Sequence, residues 1–190
     1  MSDDIPNRRS IRLPGYDYSQ KGYYFVTICT QNHSEMFGKI VNGKMVLNDV
    51  GEMINKKINE LKIYENINVD IQCVMPNHVH LILIIVGAGP CARPKQIKND
   101  IIGSKKIIII GSTQGSTPTL GEYIKRFKTL TTRIYIQNVK SNHWPKFHMR
   151  LWQRNYYEHI IRSEREYKQI VYYIRSNPQN WGTDKNNIYA

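Results

Sequence analysis

Acidic residues are scarce in this chain: 15 Asp and Glu stand against 27 Lys and Arg in 190 residues, a formal charge of +12. That imbalance predicts attraction to polyanions, nucleic acid before membrane surface. Cysteine is scarce too. Cys29, Cys73 and Cys91 are odd in number and form no CxxC pair. Together with a start at Met1–Asp4 that is acidic and without an apolar stretch, this argues against secretion and for reduced thiols in the cytoplasm. The C-x4-H spacing of Cys73 and His78 lacks a second cysteine of matching spacing, so a structural zinc site is not favoured. No apolar run approaches the length of a membrane span; the longest, near Leu81–Ala88, ends in Gly and Pro, and no membrane partner is expected.

What is present fits one domain large enough to bury a core without disulfides. Residues 1–22 form a basic arm carrying Arg8, Arg9 and Arg12, residues 23–182 the domain, and 183–190 a tail. Tyr23–Thr30 (YYFVTICT) is β-branched and aromatic, hence a strand. Lys39–Leu47 reads as a hairpin turning at Asn42-Gly43. A helix opened by Asn48 or Asp49, with Glu52 in a capping position, follows. Val69–Val74 and His78–Val86 are the next strands. Residues 87–118 change to Gly, Pro, Ser, Thr and Lys around Ile107–Ile110, a long loop or insertion. Thr119-x-x-Glu122 caps a helix whose core stripe is Leu120, Ile124, Phe127 and Ile134; Lys125, Arg126, Lys128 and Arg133 fall outside that stripe. Tyr156–Ile161 is a strand, and Ser163-x-x-Glu166 opens a last helix that stops at Asn177-Pro178. The order predicts an α+β layer fold with helices packed on an antiparallel sheet.

Two places carry chemistry. In Met75-Pro76-Asn77-His78-Val79-His80 the imidazoles are two apart on a strand, so His78 and His80 share a face while Val79, Leu81 and Leu83 take the other. Paired imidazoles on a rigid strand are half of a metal site, although polar residues at a strand start need hold no ion. On the last helix Tyr167, Ile170, Val171 and Ile174 form the core stripe. Tyr173 and Asn177, four apart, share one flank of it, and Tyr172 points to solvent. A flank Tyr can equally cover the core rim, and Asn before Pro is a common helix stop. Taken together, the four residues fit one use: two imidazoles and an amide oxygen hold a divalent cation that polarises a phosphodiester while a tyrosine attacks it.

In this respect the chain resembles the REP-associated tyrosine transposases, within the wider single-tyrosine HUH transposases. YYFVTICT, VMPNHVHLIL, YIKRFKTLTTRI, WQRNYYEHIIR and YYIRSNP match in family order over roughly residues 20–181. The resemblance implies an HUH endonuclease fold, a ferredoxin-like antiparallel sheet with helices on one side. It also implies cleavage and rejoining of single-stranded or hairpin DNA, repeat palindromes above all, through a 5′-phosphotyrosine. Matched position by position, His78 and His80 carry the metal, Tyr173 is the nucleophile, and Asn177 is the third ligand, where related insertion-sequence transposases carry Gln. Mg²⁺ or Mn²⁺ fits the chemistry, and the imidazoles would equally accept Zn²⁺ or Co²⁺. Glu158 and His159 lie in a matched motif without an implied role, and segment 87–118 departs from the compact pattern. Relatives act as a monomer or as a homodimer.

Arg8, Arg9, Arg12, Lys125, Arg126, Lys128 and Arg133 are the expected DNA contacts. Three rival readings stay open: an HUH nickase of the relaxase or replication-initiator type, a nucleic-acid-binding module with a vestigial site, and a metal-dependent hydrolase without a covalent step.

Overall fold

The computed structural model describes residues 15–61, 66–86 and 118–188. Arg8, Arg9, Arg12, Cys91 and the Ile107–Ile110 stretch lie outside them. The elements are β1 (Gly22–Cys29), β2 (Gly38–Val41), β3 (Lys44–Leu47), α1 (Asp49–Glu60), β4 (Ile67–Val74), β5 (His78–Ile85), α2 (Leu120–Ser141), β6 (Tyr157–Ile161) and α3 (Glu164–Ser176). With the β2–β3 hairpin set aside, the order up to β6 is βαββαβ. The four long strands form one sheet in the order β4-β5-β1-β6, every pair antiparallel. This is the ferredoxin-like α+β arrangement.

Local chemistry places the ends of these elements. Asn42 (φ 50°) and Gly43 (φ 70°) both take positive φ, as a two-residue hairpin turn requires. Asn48, rather than Asp49, caps α1, its side chain accepting from the Gly51 amide. Thr119 and Glu122 make a reciprocal capping box at α2, and the Ser163 side chain accepts from Glu166 N–H at α3.

The sheet is covered on both faces, which corrects the expectation of helices on one side. On one face Tyr24, Val26 and Ile28 of β1 and Val79, Leu81 and Leu83 of β5 pack with Ile54 and Ile58 of α1 and Ile124 and Phe127 of α2. On the other, Phe25 and Ile82 pack with Ile174, and Tyr167, Ile170 and Val171 of α3 close over them. The reason lies in β5, which is buried along nearly its whole length: a central strand buried on both faces needs cover on each. The α2 stripe also differs from expectation. Tyr123, Thr131 and Tyr135 are buried with Leu120, Ile124 and Phe127, while Ile134 is only half-buried. Thr131 is tolerated inside because its hydroxyl accepts from Trp152 Nε1 at 2.9 Å.

The turn that launches β5 is held from outside the sheet. The Pro76 carbonyl accepts from Met36 N and Phe37 N at 2.8 and 3.0 Å, and the Asn77 carbonyl from Thr30 N at 2.8 Å. Phe37 is in turn pressed against α1 at Gly51, where an added Cβ would lie 2.1 Å from the Phe37 carbonyl oxygen. Replacing a helical Gly by Ala ordinarily stabilises by up to about 1 kcal/mol. Here Gly51→Ala should instead destabilise, by about 1–3 kcal/mol as overpacking does; a higher urea midpoint for the variant would show that this contact is not rigid.

Candidate active site

The strand register brings the site together. His80 faces Thr27 across β5 and β1, and His78 faces Cys29. Both imidazoles are buried, on the sheet face that α3 covers. The Tyr173 ring lies 5.2 Å, centroid to centroid, from the His80 ring and 6.1 Å from Phe25. Tyr173 keeps 36% of its surface exposed, whereas Tyr172 on the outer side of α3 is 75% exposed. Asn177, the C-cap of α3, is 2% exposed. So the four residues His78, His80, Tyr173 and Asn177 meet within one chain.

The hydrogen-bond network assigns the imidazole tautomers. Asn77 spends both amide hydrogens on carbonyls, those of His33 at 3.0 Å and Asn186 at 2.7 Å. Its oxygen therefore accepts, and His78 Nδ1, 2.8 Å away, is the donor. A neutral His78 then has a bare Nε2, which accepts from His80 Nε2–H at 2.9 Å. His80 Nδ1 in turn accepts from the Thr27 hydroxyl at 2.9 Å. This assignment requires both rings neutral, and burial provides that. It pushes His78 down to about 4 and His80 well below the ordinary imidazole value.

These residues suit a metal ion on two observations. Two nitrogens bound to one octahedral ion at about 2.1 Å lie about 3.0 Å apart, close to the 2.9 Å between the two Nε2 atoms. Asn177 Oδ1, meanwhile, is a buried oxygen with no hydrogen-bond partner, which an ion would satisfy. Among the described residues, one group of His, Cys, Asp and Glu could hold an ion: His78, His80 and Asp184, with ligand atoms within 4.8 Å of one another. Cys73 is outside it; burial pushes that thiol up to about 11.

Sequence reasoning missed Asp184. It lies in the stretch read as a tail, where a 3₁₀ turn at Trp181–Thr183 brings it back against the sheet. Asp184 Oδ2 accepts from Asn177 Nδ2 at 2.6 Å, and Oδ1 from Asn186 N at 2.6 Å. The one available signal was an acid seven residues beyond Asn177, which no motif marks. Burial pushes the Tyr173 phenol up to about 12, Asp184 adds to the rise, and a hydrogen bond from Asn177 opposes it. His159 is paired with Glu166 across the β6–α3 junction, a structural tie.

The expected DNA contacts separate. Lys125 and Arg133 are exposed and Arg126 is half-buried. Lys128 Nζ is committed to the carbonyls of Gln153, Arg154 and Asn155 at 2.9, 3.4 and 3.0 Å, and burial lowers its pKa to about 8. Lys128 and Arg133 line a groove between α2 and residues 150–154 that also holds Arg150, Arg154, Ile136 and Trp152, with no carboxylate in its lining. Lys125 and Arg126 are not part of it. No helix among the described residues is long and apolar enough to cross a membrane.

No family model matches the chain. An uncharacterised protein of Haemophilus influenzae is 36% identical over 184 residues, which cover 95% of this chain and 93% of that protein. The chain belongs to that protein's family. Among solved structures, a REP-associated tyrosine transposase bound to a REP hairpin superposes with a TM-score of 0.54 at 18% identity, over 92% of this chain and 76% of that one. The chain is thus a structural relative of the REP-associated tyrosine transposases and has their fold.

The tautomer assignment has a direct check. Imidazole NMR titration should find both buried rings neutral through pH 6.5, with His78 protonating only near pH 4. Because the folded values are depressed, the fold should lose stability as pH falls from about 6.5, where an unfolded imidazole takes its proton, towards 4. An ordinary midpoint near 6.5 for either ring would contradict the network.

Proposed function

We propose that this protein is a divalent-metal-dependent tyrosine transposase that cleaves and rejoins single-stranded or hairpin DNA. The observation that carries the proposal is the packing of Tyr173 on His80 beside the open amide oxygen of Asn177. His78 Nε2, His80 Nε2 and Asn177 Oδ1 are the donors for Mg²⁺ or Mn²⁺, whose use when bound is Lewis-acid polarisation of a phosphate oxygen. Tyr173 Oη attacks phosphorus, and the bond from phosphorus to the 3′-oxygen breaks. The phenol proton passes to water and the leaving oxygen takes one up. The products are a 5′-phosphotyrosine and a free 3′-hydroxyl, so the phosphodiester energy is kept and a second 3′-hydroxyl can reverse the step.

At a pKa of about 12, roughly one Tyr173 in 10⁵ is ionised at pH 7. The hydrogen bond from Asn177 favours the phenolate but does not outweigh burial, so a nearby positive charge has a second task. The structural neighbour was solved with a REP hairpin, and the +12 charge suits the same class of partner here. Since phenol and imidazoles meet within one chain, a monomer is sufficient for the reaction.

With a labelled hairpin oligonucleotide and Mn²⁺, the wild type and Tyr172→Phe should form a covalent protein–DNA band, and Tyr173→Phe should bind the hairpin but form none. Cleavage without a band would make the protein a hydrolase. A band without joining would make it a nickase, and binding alone a recognition module.

Affinity is assigned to the carboxylate-free groove, through Arg133, Arg150 and Arg154 rather than the committed Lys128. Lys125 and Arg126 on the flank of α2, and Arg8, Arg9 and Arg12 of the arm, add to it. Binding should weaken with salt at a log–log slope of about −0.7 per phosphate neutralised. Each of Arg133→Ala, Arg150→Ala and Arg154→Ala should therefore flatten the slope by about 0.7, and unchanged slopes in all three would move the DNA elsewhere.

A further inference from the structure

Asn177 presents a problem that the metal reading alone does not solve. The two ends of a carboxamide have the same shape, and a half-turn would put NH₂ where the buried oxygen stands. An NH₂ in that position repels a cation. Something must fix the orientation. The contact that does so is Asp184, whose Oδ2 takes a hydrogen from Asn177 Nδ2 at 2.6 Å. A carboxylate can only accept, so it selects the nitrogen end of the amide and leaves the oxygen for the site. That oxygen is the buried atom without a partner.

Asp184 itself is fixed. Its second oxygen accepts from Asn186 N at 2.6 Å, and the Asn186 carbonyl accepts from Asn77 Nδ2 at 2.7 Å. Asn77 is the residue that sets the His78 tautomer. Residues 184 and 186 therefore tie into both halves of the donor set. Both groups that hydrogen-bond to the Asp184 carboxylate are N–H donors. An Asn in its place would turn an NH₂ against one of them.

We infer that Asp184 is a positioning residue of the metal site, acting through Asn177 by holding its amide oxygen towards the ion. The inference rests on the metal reading given above and assigns a role outside the matched motifs.

The test is Mn²⁺ affinity of the full chain, measured by calorimetry and by electron paramagnetic resonance of the free ion. Asp184→Asn should weaken binding about tenfold or more, as loss of a partner behind a ligand does. Asn177→Ala should weaken it too, and the double variant should be no weaker than Asn177→Ala alone, because the effect of Asp184 passes through that side chain. Unchanged affinity in Asp184→Asn, or a further equal loss in the double variant, overturns the inference; the latter result would mean that Asp184 touches the ion itself. A His78→Ala variant that still binds Mn²⁺ as tightly as wild type would instead sink the metal reading.

Should Asp184→Asn not fold, the wild-type protein decides. The Asn177 side-chain NH₂ resonance should stay at its hydrogen-bonded position as Mg²⁺ is added, and a move to the free-amide position would overturn the role.

Discussion

Everything in the site depends on keeping two imidazoles neutral and edge to edge inside the sheet. Isolated in the interior, a charged ring would cost more than its contacts return, so burial selects the neutral form. Neutral rings with opposite tautomers then make the one contact, Nε2 to Nε2 at 2.9 Å, that brings the two candidate ligand nitrogens together. The remainder of the local structure serves that contact. The 30–37 segment clamps the turn before β5, Asn77 orients His78, and Thr27 supports His80 from the neighbouring strand.

The helix opposite supplies the proposed nucleophile. α3 is anchored by Ile174 and by the half-buried Tyr167, Ile170 and Val171, and its flank carries Tyr173 over His80. A phenol in that position has conflicting neighbours. Burial and the Asp184 carboxylate hold its proton on, while the Asn177 side chain favours its release. The reading as a metal-dependent nucleophile resolves the conflict, since a cation held by the imidazoles also screens the carboxylate.

Much of this was legible in the sequence because it is written in short-range chemistry. Asn42-Gly43, Thr119-x-x-Glu122 and Ser163-x-x-Glu166 are local signals whose structural meaning does not depend on the rest of the fold. Strand periodicity put His78 and His80 on one face, and helix periodicity put Tyr173 rather than Tyr172 on the inner flank. What was not legible depends on contacts made across the chain. A strand buried on both faces does not say which helix covers which face. The helical wheel leaves Lys128 outside the core, but only the path of residues 153–155 turns its ammonium inward. The stripe on α2 drifts to Thr131 and Tyr135 because Trp152 and the 145–147 connection meet it there. Asp184 escaped notice because its partner is seven residues back and its value comes from geometry alone.

The hydroxyl of Thr27 has a consequence of its own. In the tautomer pair assigned here, His80 carries its hydrogen on Nε2, the atom an ion must take. An ion held there would leave that hydrogen on Nδ1 instead, so that His80 would donate to the Thr27 hydroxyl, which is able to play either part. The heavy atoms can stay where they are, and the proton account closes without a net release at this ring. A valine there would have the same shape but could neither donate nor accept, whereas the threonine hydroxyl can pair with His80 Nδ1 in either tautomer.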